Sequence, residues 1–260
     1  MLLLEDLTHA LDVVAFAEDA LGFTLDPWQR DALRSGSRRL LLNCSRQSGK
    51  TIVAAIRALH RATFTVAKVV VVSPSERQSK EFYRLTRELA DRLPTPPRMI
   101  EDNATACTLA NGSRLISLPS SEATIRGLAG VDELIFDEAS RVQDVMFTAT
   151  RPMVSASRGS IVALSTPAGK RGWWYSAWAD GGDRWDRVEI PATRSPRISA
   201  VELAEAQEDL PPWEFEQEFM CVFGDTIDSV FRSDDIFAAI DTTITPLFGA
   251  TRVAEIHARA

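Results

Sequence analysis

One short segment constrains the fold more than any other part of the sequence: residues 44–51, CSRQSGKT. An apolar run at 39–43 precedes it and predicts a short buried strand, and a helical pattern from about 49 to 62 follows it. A loop between a strand and a helix presents backbone N–H groups at the helix start, where the helix dipole favours anions. The segment therefore predicts a phosphate-binding loop, although a polar turn could produce a similar pattern by chance.

Each residue type at the end of this loop suits the binding of a magnesium nucleotide. Gly49 lets the backbone approach the phosphates closely, Lys50 reaches the β- and γ-phosphates, and the Thr51 hydroxyl ligates Mg²⁺. The loop departs from the usual pattern at Cys44, where a glycine is expected. Further nucleotide-binding residues are predicted at Ser45, Gln47 and Ser48.

A second apolar run, 134–136, ends in the adjacent carboxylates Asp137 and Glu138. Ligands of open α/β sheets bind at the carboxyl ends of the strands, so both acids are expected beside the phosphate loop. Asp137 would hold Mg²⁺, and Glu138 would be the general base that polarises the attacking water. Alone, such a pair could be a strand that ends in a solvated turn. Together with the loop, it predicts nucleotide hydrolysis.

The rest of the chain alternates short apolar runs with amphipathic stretches. Residues 68–73 read as a strand, 75–93 as a helix and 160–164 as another strand, which predicts an α/β fold with a mostly parallel sheet flanked by helices. The sequence at 105–118 has two apolar runs around Asn111-Gly112, the pattern of a β-hairpin. In this fold, residues 1–170 would form the nucleotide-hydrolysing domain, with the phosphate loop (P-loop) of an NTPase.

The texture of the sequence changes after residue 170. Residues 171–225 contain a cluster of tryptophans and two helical segments, and we predict a small lid or linker subdomain there. The aromatic cluster is expected to be a core rather than a platform for base stacking, because aromatic side chains mostly serve burial. Residues 226–260 are weakly patterned and are predicted to be a peripheral tail.

Bulk composition excludes several classes of protein. The 260 residues include three scattered cysteines and three distant histidines, which argues against a disulfide framework or a zinc site. No apolar run is long enough for a membrane helix, so no membrane partner is expected. Twenty-nine basic against 36 acidic residues give a net charge of −7, which argues against wrapping nucleic acid by charge alone. These features predict a cytoplasmic protein.

The combination of motifs resembles the ATPase domain of the large terminase subunit, the motor that packages DNA into viral capsids. The resemblance covers residues 25–231, and it rests on SRQSGKT at 45–51, on IFDEA at 135–139 and on two further matches. Trp28-Gln29 matches a pair that helps to recognise adenine in the family. Ser165-Thr166-Pro167 matches the coupling motif, in which Thr166 would contact the γ-phosphate or the lytic water; from the residues alone it could be a turn after a strand.

The resemblance implies a RecA/ASCE-like fold and two candidate arginines. Arg126 lies on a glycine-containing loop where similar terminases carry an arginine that enters the neighbouring subunit's site. Arg46 lies inside the phosphate loop and could act within its own subunit. Either could instead be an ordinary surface arginine or part of a salt bridge.

The resemblance also implies the ligands and partners: ATP, Mg²⁺, double-stranded DNA, a homo-oligomeric ring on a portal protein and a small terminase subunit. In a phage or prophage context the location would be the host cytoplasm. Large terminases usually continue into a nuclease domain, and the sequence after 218–236 offers no cluster of acids for one. We therefore expect a motor whose nuclease is absent or lies on a separate chain. The alternatives are an inactive or regulatory nucleotide-binding remnant and another ATP-dependent, helicase-like DNA translocase.

Overall fold

Continuous apolar runs form the middle of one mixed sheet. The computed structural model describes residues 2–121 and 128–224, so the predicted Arg126 and the tail at 226–260 lie outside the described residues. Within these ranges the sheet has eight strands in the order β3-β4-β5-β2-β6-β7-β1-β8. The strands are β1 Arg39–Cys44, β2 Lys68–Ser73, β3 Met99–Asp102, β4 Ala106–Leu109, β5 Arg114–Pro119, β6 Glu133–Asp137, β7 Ser160–Ser165 and β8 Asp186–Ile190.

Helices cover both faces of the sheet. The described helices are α1 Leu2–Leu11, α2 Val13–Ala15, α3 Pro27–Arg34, α4 Lys50–Phe64, α5 Glu76–Arg92, α6 Asp144–Ser155, α7 Gly172–Ala179, α8 Ala200–Asp209 and α9 Pro212–Glu218. The turn Phe16–Ala20 is a π-helix, and 3₁₀ turns lie at Ala139–Arg141, Gly182–Arg184 and Ala192–Arg194. Among the described helices, none is both long and apolar enough to span a bilayer.

The topology positions the two predicted motifs on neighbouring parts of one edge. Strands β5, β2, β6, β7, β1 and β8 run parallel, so their carboxyl ends meet at the same edge. Strand β7 separates β1, which leads into the phosphate loop, from β6, which carries the acids. The predicted α/β fold with a mostly parallel sheet is therefore confirmed, as is the hairpin, because β4 and β5 pair in antiparallel fashion.

Alternate residues of the central strands point into two separate cores. Leu42, Val71 and Ile135 pack with α2–α5 on one face, together with large side chains such as Phe16 and Phe82. The intervening residues pack with α6 and α7 on the other face, where Leu41, Val70, Phe136 and Ala163 are buried. Burial on both faces explains why these strands are apolar throughout rather than alternating with polar residues.

The tryptophan-rich segment packs directly on the sheet. Trp173 stacks on Phe147 with ring centroids 4.1 Å apart, and it lies 5.1 Å from the ring of Phe136 on β6. Its indole nitrogen donates a hydrogen bond to the carbonyl of Val142 (2.9 Å). Residues 186–190 then form the edge strand β8 beside β1. The cluster is thus a buried core, as expected. The division at residue 171 into a separate lid stays a prediction.

Two elements differ from the sequence-based expectation because of local side chains. The three- and four-residue spacing of apolar side chains in residues 5–21 predicts one helix. The structure interrupts it at Asp12, whose side chain accepts a hydrogen bond from Val14 N and caps a new helix start. Helix α6 contains Pro152, a residue that usually ends helices, and the sequence reading did not identify this helix.

All three cysteines are buried free thiols. Burial raises the pKa of Cys44 to about 12, and it also raises the pKa of Cys107 and of Cys221. The three side chains are therefore neutral at physiological pH and react slowly with thiol reagents.

The stacking of Trp173 makes the core on the α6–α7 face dependent on one side chain. We expect Trp173→Ala to lower the free energy of unfolding by about 3–5 kcal/mol, because it leaves a cavity against Phe147 and unpairs a carbonyl. Urea denaturation followed by circular dichroism measures the change. Trp213→Ala is the matched control, since that side chain is about half exposed (50%) and should cost little. Equal losses in the two variants would contradict this account of the core.

Candidate active site

The phosphate loop has the conformation that a strand-to-helix turn requires. Gly49 caps helix α4 with a left-handed backbone (φ +86°), and Gln47 also has a positive φ of 56°. Two backbone hydrogen bonds fix the start of the loop: Ser45 N donates to the carbonyl of Ile190 and Arg46 N to that of Glu218, both at 2.9 Å. The first N–H groups of α4 have no acceptor within the helix itself, which suits them to bind an anion.

Cys44 replaces the usual glycine because its position makes no special demand on the backbone. It is the last residue of β1, it lies opposite Ile190 of β8, and it is fully buried. Within the described part of the loop, positive φ values occur only at Gln47 and Gly49. A small apolar side chain therefore fits at residue 44 without strain.

The structure brings the basic and acidic motifs together. Lys50 Nζ lies 3.4 Å from Glu138 Oε1, and the Thr51 hydroxyl donates to Asp137 Oδ1 at 3.4 Å. Asp137 and Lys50 are buried, whereas Glu138 is partly exposed. Four predicted site residues from two distant parts of the sequence thus form one cluster at the carboxyl edge of the sheet.

Asp137 is an unusual carboxyl group in this cluster. Burial, followed by the neighbouring Glu138 carboxylate, raises the pKa of Asp137 to about 7, while Lys50 and the Thr51 hydroxyl act in the opposite direction. A site that disfavours a second negative charge in this way favours a cation. The donor set also fits Mg²⁺, which takes one or two protein oxygens and completes its shell with water and phosphate oxygens. Among the described residues, no group of three or more His, Cys, Asp or Glu side chains could hold a metal ion. A bound Mg²⁺ would therefore need ligands from water and phosphate.

Backbone strain and a serine pair set the position of Glu138. Glu138 is in the left-handed region (φ +51°, ψ +50°), an arrangement that non-glycine residues adopt rarely and often at functional sites. In the turn that follows, Ser140 N donates to Ser165 Oγ (3.2 Å), and Ser165 Oγ donates to Ser140 Oγ (2.7 Å). The end of β7 is thereby joined to the acid-bearing turn. Thr166 is buried directly after β7, and its predicted contact with phosphate or water stays a prediction.

Gln29 lies against the phosphate loop. Its side-chain amide nitrogen is 3.5 Å from the carbonyl of Ser48, and a Cβ atom at Gly49 would lie 2.8 Å from it. Its amide oxygen accepts from Asp26 N (2.9 Å) and from Arg197 Nη2 (3.2 Å). Arg197 also donates from Nε to Asp26 (2.9 Å). Arg197 is therefore a site residue that sequence reasoning missed, because it belongs to no motif and lies 168 positions from Gln29.

The remaining loop residues have different surroundings. Ser48 and Ser45 are buried. The Ser48 hydroxyl donates to the Ser45 carbonyl (2.9 Å), whereas the Ser45 hydroxyl has no hydrogen-bond partner among the described residues. Arg46 Nε donates to Glu218 Oε2 at 2.8 Å, so its guanidinium is held by a carboxylate of α9. The predicted roles of Arg46 and Arg126 stay predictions.

The family of the chain follows from a sequence comparison. The family described as terminase large subunit, T4likevirus-type, N-terminal, matches residues 41–237, which is more than half of the chain. The matched region includes the phosphate loop, both acids and the segment that ends β7. The resemblance predicted from the sequence motifs is confirmed.

Solved structures agree with the fold. The chain is similar to the large terminase ATPase domain of Thermus phage P74-26, with 19% identity and a TM-score of 0.70 over 79% of this chain and 96% of that one. The large terminase of bacteriophage HK97 gives 18% identity and a TM-score of 0.67 over 81% of this chain. The large terminase of bacteriophage D6E in complex with ADP gives 15% identity and a TM-score of 0.63 over 77% of this chain. This chain spans 54% of the HK97 and D6E chains, about half of their length.

The buried charge of Asp137 should destabilise the empty site. We expect Asp137→Asn to raise the thermal midpoint of the protein without nucleotide or Mg²⁺ at about pH 8, because the amide keeps the shape and removes the charge. Each kcal/mol gained corresponds to about 2–4 °C. The sign follows from the raised pKa, since the folded state binds the proton more tightly and loses stability as the pH rises towards 7. The gain should therefore shrink at about pH 4, and a midpoint lowered at pH 8 would contradict it.

Proposed function

We propose that this chain, which belongs to the T4likevirus-type terminase large-subunit family, hydrolyses ATP to drive double-stranded DNA into a viral procapsid. The observation that carries the proposal is the meeting of Lys50 and Thr51 with Asp137 and Glu138 at one edge of the sheet. That arrangement supplies a phosphate-binding cation, two oxygen ligands for Mg²⁺ and a candidate base. The family supplies the DNA-packaging context.

Each residue has a defined part in the proposed hydrolysis. Lys50 and the N–H groups at the start of α4 bind the phosphates of ATP, and Thr51 with Asp137 would hold Mg²⁺, which offsets the charge of those phosphates. In the present structure Lys50 pairs with Glu138 (3.4 Å). Phosphate oxygens compete for the same ammonium group, which frees Glu138 to accept a proton from the water that attacks the γ-phosphorus. The products are ADP and inorganic phosphate.

The wider assembly is part of the same proposal. Subunits would form a ring on a portal protein, and Arg126 of one subunit would enter the site of the next to stabilise the charge of the transition state. Arg46 could serve the same purpose within its own subunit if ATP displaces it from Glu218. Thr166 would relay the state of the γ-phosphate to β7. A small terminase subunit and a nuclease are further proposed partners.

The experiment that tests the reaction separates binding from chemistry. We expect Glu138→Gln to lower kcat for ATP by about 10²–10⁴ while it retains ATP binding, because only the proton acceptor is removed. Lys50→Ala should instead weaken binding of a fluorescent ADP analogue. Glu208→Gln, an exposed acid on α8, is the control and should turn over normally.

Two outcomes would count against the proposal. Turnover of Glu138→Gln equal to that of the wild type would exclude Glu138 as the base. A wild-type protein that binds nucleotide but never turns over, with or without duplex DNA, would favour the regulatory remnant. DNA-stimulated turnover would favour the translocase.

We also propose that Arg197 positions Gln29 for adenine recognition. Arg197 and Asp26 N both donate to the amide oxygen of Gln29, which fixes the orientation of the amide and directs its NH₂ group towards the phosphate loop. Because Arg197 is partly exposed (39%), we expect Arg197→Ala to raise KM for ATP by only about 2–10-fold, with kcat little changed. The preference for ATP over GTP should fall in parallel.

Steady-state kinetics with both nucleotides provide the measurement. Arg194→Gln removes a charge from the same loop without touching Gln29 and is the matched control. Arg197→Lys keeps the positive charge but loses the planar guanidinium, which donates to both Asp26 and Gln29. Its KM for ATP should lie between those of the wild type and Arg197→Ala. An unchanged nucleotide preference in Arg197→Ala would show that Arg197 has only a structural role.

A further inference from the structure

A second concave site lies at the opposite edge of the sheet from the phosphate loop. It is a cleft of about 530 Å³ beside the amino ends of β1, β6 and β7. A strand of five or six residues spans roughly 15–20 Å, which is the distance between the two edges. A ligand in the cleft would therefore not compete with a nucleotide at the loop.

Arginines dominate the charge of this cleft. Among the described residues, its lining contains five arginines and no lysine, against the three acids Asp12, Asp132 and Glu133. Each acid already has a partner. Asp12 pairs with Arg34, Glu133 pairs with Arg57, and Asp132 accepts from Lys68 N (2.8 Å).

Three guanidinium groups of the cleft remain without a carboxylate. Arg38, Arg61 and Arg158 are exposed, and among the described residues no acid lies within ion-pairing distance of them. They belong to three separate parts of the fold: the segment before β1, helix α4 and the segment before β7. The Arg38 side chain donates a hydrogen bond to the Arg158 carbonyl, which joins two of these parts.

The positive surface continues beyond the cleft. Arg39, the first residue of β1, lies with its guanidinium carbon 5.8 Å from the ring centroid of Trp185. Burial lowers the pKa of Arg39, and the charges that lower it further are those of Arg151, Arg184 and Arg38. Such a strip suits an extended anion better than a single phosphate ion. We call the cleft, together with Arg39, Arg151 and Arg184, the amino-edge arginine surface.

We propose that the amino-edge arginine surface binds the phosphate backbone of double-stranded DNA. Guanidinium groups contact phosphate oxygens in pairs, and such contacts position a duplex without reading its sequence. In the part of the chain that the structure describes, His60 is the only ring that lines the cleft, and these residues form no aromatic platform of the kind that binds single strands by stacking. The choice of DNA as the polyanion rests on the proposed function.

Helix α4 connects this surface to the nucleotide site. It begins at Lys50 in the phosphate loop and carries Arg57 and Arg61 towards its other end. Arg61 lies eleven positions after Lys50 on this helix, which is a rise of about 16 Å. One rigid element thus carries groups for ATP at one end and for DNA at the other.

The test compares two triple variants, each of which removes three positive charges from a different part of the surface. In R38Q/R61Q/R158Q the unpaired arginines are neutralised, whereas the control R77Q/K80Q/R84Q neutralises exposed residues of α5, two of which pair with glutamates on the same helix. Fluorescence anisotropy measures the affinity of each protein for a labelled duplex of arbitrary sequence, without nucleotide, between about 50 and 200 mM salt.

We expect the cleft variant to lose affinity. The negative slope of log K against log salt should become shallower by about 2.7, since each of the three lost phosphate contacts contributes about 0.9. The control should bind like the wild type. The proposal would be overturned if the two variants had equal affinity for duplex DNA and equal salt dependence. It would also be overturned if the wild type bound an acidic protein but not duplex DNA. Binding of a fluorescent ADP analogue checks the fold of both variants. Because the DNA assay contains no ATP, its failure is distinct from a failure of hydrolysis.

Discussion

The site depends on one electrostatic constraint: two adjacent carboxylates must be held at the end of a buried strand, opposite a lysine at the start of a helix. Asp137 is only 6% exposed, and burial together with Glu138 raises its pKa to about 7. Water alone cannot stabilise the charge of Asp137 at that depth, so the cluster needs positive charge from Lys50 and from its ligand. The parallel sheet satisfies this need because it brings the ends of β6 and β1 to the same edge, with β7 between them.

The central fold and the chemistry of the site could be predicted from sequence because their signals are local. The run at 68–73 is a strand with those bounds, the pattern before residue 44 is β1, and the loop motif lies where the strand meets the helix. Buried parallel strands are apolar without interruption, so their sequence is distinctive. The same is true of the hairpin around Asn111-Gly112, where the turn residues fix the geometry.

Features that depend on distant contacts could not be read in this way. Strand β8 is half polar and becomes a strand because it pairs with β1. Arg197 joins the site through Asp26 and Gln29, which no spacing rule connects to it. The amino-edge arginine surface is also assembled by tertiary structure, since its arginines come from several elements and the net charge of −7 hides them. Helix α6 was missed for a different reason, because Pro152 argues against a helix locally and the packing of α6 on the sheet outweighs it.

The burial of all three thiols has a practical consequence. Because Cys44, Cys107 and Cys221 are enclosed and uncharged at neutral pH, a single cysteine introduced on the surface becomes the preferred target for a maleimide dye or a spin label. Pairs of such labels on α4 and α8 would report distance changes during turnover without removing any native cysteine. The native chain is thus already suited to single-molecule spectroscopy of its conformational cycle.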